Sequence, residues 1–271
     1  MATTDPPAGE GWRPLVYFWD GGWLGIGRAS GMVPPHAHHA VQISIGLDGP
    51  VAFRPPDGAW QEFAAAAVLP DAPHEFSPLG HEIAMIFVQP ESREGRWLQQ
   101  SLRDPIASVA SERLDAELPA LRRFREARPT AEEAARVITR VVHALCAGPP
   151  PARTIDPRIV KALAYVRAAG EARLSLAQVA GEVFLSPSRF AHLFSDEVGI
   201  PFRRYQLWRK LTRAISAFGR GLNLSGAAHA AGFADSAHLT RTWREMFGIT
   251  PTLMVGGGEF YEIPGMFEVG G

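Results

Sequence analysis

The segments 175-SLAQVAGEVFLSPSRFAHLFSDEVGI-200 and 223-NLSGAAHAAGFADSAHLTRTWREMFGI-249 are two versions of one pattern. Ser175 aligns with Asn223, Leu176 with Leu224, Ala180 with Ala228 and Leu185 with Phe233, all at an offset of 48. One inserted residue raises the offset to 49, and Phe190 then meets Leu239, Phe194 meets Trp243, Gly199 meets Gly248 and Ile200 meets Ile249. A spacing of this size marks a repeated supersecondary unit. Each copy opens with an N-cap residue and a short helix, which carries an alanine where another helix must come close. A tight turn follows. A second cap, Ser186 with Pro187 at the first helical position or Asp235, starts a second helix, and a glycine ends it. This is the grammar of a helix-turn-helix, whose second helix is shaped to enter a DNA major groove.

Between the copies, 202-FRRYQLWRKLTRAISAF-218 places Tyr205, Trp208, Leu211 and Ile215 on one helical face. Seventeen residues at about 1.5 Å each span roughly 26 Å. With the width of the flanking units, the two second helices can lie about one DNA turn apart, roughly 34 Å. The charge agrees. Residues 153–251 carry 14 Lys and Arg against 7 Asp and Glu, residues 1–152 carry 13 against 18, and residues 252–271 carry 3 Glu and no base. A basic segment inside a chain of net charge −1 points to a polyanion partner.

Outside the repeat, residues 12–90 read as β. The apolar runs Leu15–Trp19, Val41–Leu47, Val51–Phe53, Ala66–Leu69 and Ile83–Val88 are separated by Gly, Pro and Asp clusters. Residues 93–146 read as helical. Thr130 and Glu133 have capping-box spacing ahead of a stripe of Val137, Ile138, Val141, Val142 and Leu145, which fits either its own domain or a partner helix. The stretch 147-AGPPPARTIDP-157 reads as an extended linker. The end, from 255-VGGGEF to the final VGG, reads as a loose tail in which Phe260, Tyr261 and Phe267 are candidates to dock. The expected organisation is therefore a domain at 1–146, a linker at 147–156, a second domain at 157–251 and a tail at 252–271. Hydrophobic content of 46% and charged content of 20% are those of a globular chain, and the one cysteine, Cys146, excludes an internal disulfide. MATTDPPAGEGW has no basic segment and no apolar core, and no apolar run approaches the ~18 residues of a membrane span, so the expectation is a cytoplasmic protein with no membrane partner.

Residues 157–251 resemble the DNA-binding domain of AraC/XylS-type transcription regulators. The resemblance is carried by 175-SLAQVA, 186-SPSRFAHLF, 232-GF and, most specifically, 239-LTRTWREMFGITP-251. It covers about a third of the chain. Ala227, Ala228, Ala230 and Ala231 depart from the larger aliphatics common there. The resemblance implies that double-stranded DNA is read by Ser188, Ala191 and His192, with Arg189 at the edge, and by Ser236, Ala237, Thr240 and Arg241. Arg241 suits guanine O6/N7 or a phosphate, and the alanines offer methyl contacts. Arg203, Arg204, Arg209, Lys210 and Arg213 are assigned to the DNA backbone or to solvent. Phe190, Phe194, Phe233 and Trp243 are assigned to the core. By the same resemblance a small-molecule effector, RNA polymerase and a second copy are expected partners, with the helix at 130–146 as the dimer element.

The front half resembles the cupin-like sensor domain of many such regulators. The fold class expected is thus α+β in two domains: a cupin-like β-barrel with following helices, then an all-α domain of two helix-turn-helix units joined by a long helix. In 34-PPHAHHAVQ-42, His36 and His38 echo the cupin metal motif, with Gln42 where a cupin has Glu, and 70-PDAPHEF-76 adds His74. In an extended strand His36, His38, Gln42 and Ser44 share one face, while His39 joins Val41, Ile43 and Ile45 on the other. Three readings stand. His36, His38 and His74 hold a divalent Zn, Ni or Fe ion; or they line an effector site with Gln42, Trp19 and Trp23; or they are structural. The leading expectation is a DNA-binding regulator, not an enzyme, controlled by a small molecule or metal. The alternatives are a metal-dependent cupin enzyme with an accessory DNA-binding domain, which the amide at Gln42 disfavours, and a DNA-binding protein with a ligand-free barrel.

Overall fold

The computed structural model describes residues 13–151, 154–170, 172 and 174–267. The opening twelve residues, linker positions 152–153 and the last four residues lie outside the described residues. Among the described residues, eleven strands, ten α-helices and a short 3₁₀ helix (Ser111–Arg113) follow in order. The strands are β1 (Leu15–Trp19), β2 (Gly22–Arg28), β3 (Val33–His36), β4 (Val41–Gly46), β5 (Val51–Arg54), β6 (Gln61–Phe63), β7 (Ala65–Val68), β8 (His74–Ser77), β9 (Glu82–Val88), β10 (Ile106–Ser108) and β11 (Glu259–Glu262). The helices are α1 (Arg93–Ser101), α2 (Leu118–Ala127), α3 (Ala131–Leu145), α4 (Pro157–Ala168), α5 (Leu176–Glu182), α6 (Pro187–Val198), α7 (Phe202–Gly219), α8 (Leu224–Ala230), α9 (Ser236–Phe247) and α10 (Pro251–Val255). The chain is α+β, with a strand-rich front half and a helical back half. None of the described helices is long and apolar enough to cross a membrane.

The strands form a seven-stranded sheet, β10-β7-β4-β9-β2-β1-β11, and a four-stranded sheet, β3-β8-β5-β6. Alternation divides the large sheet's two faces. Val41, Ile43 and Ile45 of β4, with Leu24 and Ile26 of β2 and Ala84 and Ile86 of β9, join one core with the residues of α3. The alternate residues Ile83 and Met85 of β9 and Ala66 and Val68 of β7 pack toward the small sheet instead. Pro34 and Pro35 sit in β3, an edge strand that pairs only with β8, where a missing amide hydrogen costs little.

The apolar stripe of α3 is spent inside its own domain. Ile138, Val141 and Val142 are fully buried, with Val137 and Leu145, in the core beneath the large sheet. Thr130 and Glu133 form the capping box that starts this helix. Of the two partners the stripe could take, its own domain is the one it packs against here.

The loose tail is corrected too. After α10 the chain returns to the front half, and β11 adds to the large sheet parallel to β1, with Tyr17 opposite Tyr261. The two rings stack at 5.2 Å, and Arg128 holds Glu259 through both carboxylate oxygens at 2.7 and 2.8 Å. Ile263, Met266 and Phe267 enter the same core as α3, and Gln89 Nε2 donates to Phe267 O at 2.8 Å. The second helix-turn-helix is thus tethered to the front half at both ends, through α7 and through β11.

Candidate functional site

Both helix pairs, α5 with α6 and α8 with α9, form as their caps dictate. Ser175 and Gln178 make a capping box on α5, and Ser186 accepts from Arg189 N at the start of α6. Asn223 caps α8, Asp235 accepts from His238 N at the start of α9, and left-handed Gly199 and Gly248 end α6 and α9. Ala180 and Ala228 are buried where the helices of each pair meet. Phe190, Phe194, Phe233 and Trp243 lie in the cores, as assigned. On α6, Ser188, Arg189 and His192 are exposed and Ala191 is half-buried; on α9, Ala237 and Arg241 are exposed and Ser236 and Thr240 half-buried. Thr240 Oγ1 donates to Ser236 O at 2.8 Å, so its hydroxyl faces an outside partner chiefly as an acceptor. Reading the sequence did not single out Phe184. It sits in the turn of the first unit at 91% exposure and φ 57°, with Lys161 Nζ 5.4 Å from its ring centre.

The basic residues around α7 do not form one backbone-contacting set. Arg209 is buried and pairs with Asp20 of the front half, and Arg167 Nε reaches the same carboxylate at 2.6 Å. Arg204 meets Asp71 at 3.4 Å. Lys210 and Arg213 donate to the carbonyls of Gly232 and Ala231 inside the second unit. Only Arg203 of the five is left exposed with no such contact given among the described residues. A period of 3.6 identifies the buried face of a helix but not the acids that meet its basic positions from another domain.

The domain boundary is a packed core. Trp208, Leu211 and Ile215 of α7 and Phe247 of α9 share one cluster with Val16, Phe18, Trp23 and Phe87 of the large sheet. Trp23 stacks on Phe87 at 4.1 Å and meets Phe247 at 5.4 Å. Trp19 lies in the front-half core against Phe267, 5.8 Å away. The structure thus brings neither tryptophan to the cavity described next. His39 also joins the boundary: Nδ1 lies 3.0 Å from Asp71, Nε2 lies 2.6 Å from Glu91, and its ring meets Tyr205 and Trp208. Burial alone would lower its pKa, but Glu91 and then Asp71 outweigh it and raise the value to about 9.

Beside this boundary lies a cavity of about 530 Å³, a size suited to a small organic molecule. Its walls are mostly apolar and come from both halves: Ile83, Met85 and Phe87 from β9, Phe247 and Ile249 from the end of α9, and Leu253 and Met254 from α10. Buried His36 and Gln42 and exposed Arg13 also line it. Gly248, the left-handed cap of α9, packs against β3. A Cβ there would lie 2.6 Å from Val33 Cγ1, 2.9 Å from Pro34 O and 3.2 Å from His36 Nδ1. Helix α9 therefore ends directly on β3, the strand that carries His36.

His36, which lines the cavity, comes together with His38 and His74. His36 and His74 are cross-strand partners, and one ring nitrogen from each of the three lies within 4.8 Å of the others. His36 Nδ1 is 2.9 Å from Pro34 O and His74 Nδ1 is 2.9 Å from Ala72 O, so each Nδ1–H donates to a carbonyl and leaves the Nε2 lone pair inward. His38 Nε2 lies 2.7 Å from Gln42 Oε1, whose Nε2 donates to Ser44 Oγ at 2.9 Å. Burial, then the neighbouring His74, pushes His36 down to about 3; burial likewise pushes His38 and His74 down, so all three rings are neutral at neutral pH.

A family profile described as a helix-turn-helix domain matches residues 179–254. A curated relative, the probable transcriptional regulator LumQ of Photobacterium leiognathi, is 28% identical over 89 residues, which is 32% of this chain and 36% of that protein. The match thus spans about a third of the relative's length. Among solved structures, ToxT from Vibrio cholerae O395 superposes with a TM-score of 0.54 at 12% identity, covering 90% of this chain and 96% of that one. Wild-type ToxT from V. cholerae strain SCE256, bound to an unsaturated fatty acid, gives 0.55 at 10% identity, covering 94% and 97%. At these identities the ToxT likeness extends the shared fold over both halves. The chain thus resembles a helix-turn-helix regulator over residues 179–254 and shares the fold of ToxT over most of its length.

Proposed function

We propose that the chain is a ligand-responsive DNA-binding regulator whose cupin-like front half senses an apolar small molecule in the cavity shared with the second reading unit. One observation carries this: the helix meant to read DNA forms part of the wall of a mostly apolar cavity in the sensor. A ligand that favours one seating of α9 on β3 shifts the balance between two placements of the reading units. The chemistry of the walls, mostly apolar with the cationic Arg13 among them, suits an apolar molecule that carries an anionic group. The fatty acid bound by ToxT, a protein of the same fold, supports that class. Double-stranded DNA is the second partner. Dimerisation through α3 is not part of this reading. The family is one of regulators, which weighs against the enzyme alternative.

Two measurements test the proposal. Genomic fragments selected on the purified chain should share a sequence and bind more tightly than random DNA. The apolar anionic probe 1-anilinonaphthalene-8-sulfonate should bind the cavity, and Met85→Trp, which fills it, should abolish that binding while fragment binding persists. Indifference of the probe to Met85→Trp would remove the cavity from the proposal, and a failure to select any common fragment would remove DNA reading.

A further inference from the structure

We infer that His36, His38 and His74 hold a divalent transition-metal ion whose open position faces the cavity, and that the sensed molecule binds it through an anionic oxygen head group. The donor set supports an ion. Nitrogen ligands at about 2.1 Å from Zn²⁺ or a similar ion stand roughly 3 Å apart, and modest ring rotations bring donors now within 4.8 Å to that spacing. Backbone carbonyls fix both His36 and His74 as Nδ1–H tautomers, the arrangement metal-binding imidazoles use to present Nε2. His74 Nε2 and His38 Nδ1 are buried and lack a hydrogen-bond partner among the described residues, which is costly unless something else occupies the space. Gln42 Oε1 accepts from His38 Nε2–H without metal. That bond, 2.7 Å long, occupies His38 Nε2 and leaves Nδ1 as its vacant donor atom.

Charge then selects the ligand. Three neutral imidazoles leave both positive charges of the ion uncompensated. The nearby acids are engaged elsewhere: Glu75 with Arg54, and Glu91 and Asp71 with His39. A dication beside an apolar cavity attracts an anionic donor such as a carboxylate or hydroxamate. His36 is both a ligand and the nearest ring to Gly248 at the end of α9, so ion and head group act where the second reading unit rests. The inference deepens the ligand-responsive reading above and rests on it for the step to DNA.

The full chain, stripped with a chelator, is titrated with Co²⁺ and followed by calorimetry and visible absorption. The expected result is about one ion per chain with the d–d bands of a nitrogen-rich site. Octanoate should change those bands, and octylamine should not. His74→Gln and His36→Gln, each checked for folding by circular dichroism, should lose the ion, whereas His81→Gln should keep it. Binding that survives both ligand substitutions, or no binding by the folded chain, overturns the site. Bands indifferent to octanoate overturn the open position. Finally, Co²⁺ with octanoate should change affinity for the selected fragments at least about fivefold. Equal affinities would overturn the coupling to DNA while leaving the metal result intact, and failure to select fragments is a separate failure of the DNA reading.

Discussion

Replacing Trp23 by alanine separates packing at the domain boundary from ligand contact. Trp23 is 3% exposed, stacked on Phe87 at 4.1 Å, and touches Phe247 and Trp208 across the boundary at 5.4 and 6.2 Å. Truncating a buried tryptophan costs about 3–5 kcal/mol, and the lost ring pairing accounts for about 1 kcal/mol of that. For a chain of this size that lowers the melting temperature by roughly 10 °C. Because the lost contacts join the halves, the loss should also separate their unfolding. Calorimetry should show one transition in the unaltered chain and two in Trp23→Ala, while binding of the anionic probe changes little because Trp23 does not line the cavity. A melting temperature within about 2 °C of the original, combined with a large loss of probe affinity, would refute this. It would mean that Trp23 faces ligand and that the boundary is not cemented by aromatic packing.

Other perturbations test other parts of the structure. His39 has a folded pKa of about 9, above the ordinary 6.5, so its charged form stabilises the fold fully below about pH 6.5 and the gain fades as pH rises through about 9. The ceiling is about 3 kcal/mol; urea unfolding of His39→Gln should show much less of this alkaline loss, and an unchanged slope would reject the Glu91–His39–Asp71 cluster as its source. Ending the chain after Gly258 removes β11 with its Arg128–Glu259 pair and the Phe267 anchor. Urea unfolding should then show a loss of at least about 3 kcal/mol, and an unaffected midpoint would return this segment to the status of a loose tail. Arg241→Ala should weaken binding to selected fragments by about tenfold or more and to random DNA by less, as measured by fluorescence anisotropy; equal losses would make Arg241 a phosphate contact.

How much was legible in the sequence follows from how local each signal is. The two reading units were legible because caps, alanines and terminal glycines are local and occur twice. Five strands were visible as apolar runs. β2 was missed because Gly22, Gly25 and Gly27 break its run; Gly22 is packed against Trp19 and the Phe87 carbonyl, where no side chain fits. β11 was missed because its glycine-rich approach masked the docking of Tyr261 and Phe267. The histidine cluster was visible from i, i+2 spacing and a distant His74. Gln42, which reads as a defective ligand, proves to be the hydrogen-bond partner of His38. The cavity was not legible, because its walls come from β9, α9 and α10, which no sequence spacing connects. For the same reason Arg209 reads as facing the DNA backbone or solvent, whereas it pairs with Asp20 of the front half.

Hydroxyl-radical footprinting on a selected fragment tests most directly whether both units grip one duplex. Two protected patches are predicted about one helical turn apart, roughly 10 base pairs, one lost on replacing Arg189 and His192 and the other on replacing Thr240 and Arg241. A single patch, or one erased equally by either pair of substitutions, would contradict it.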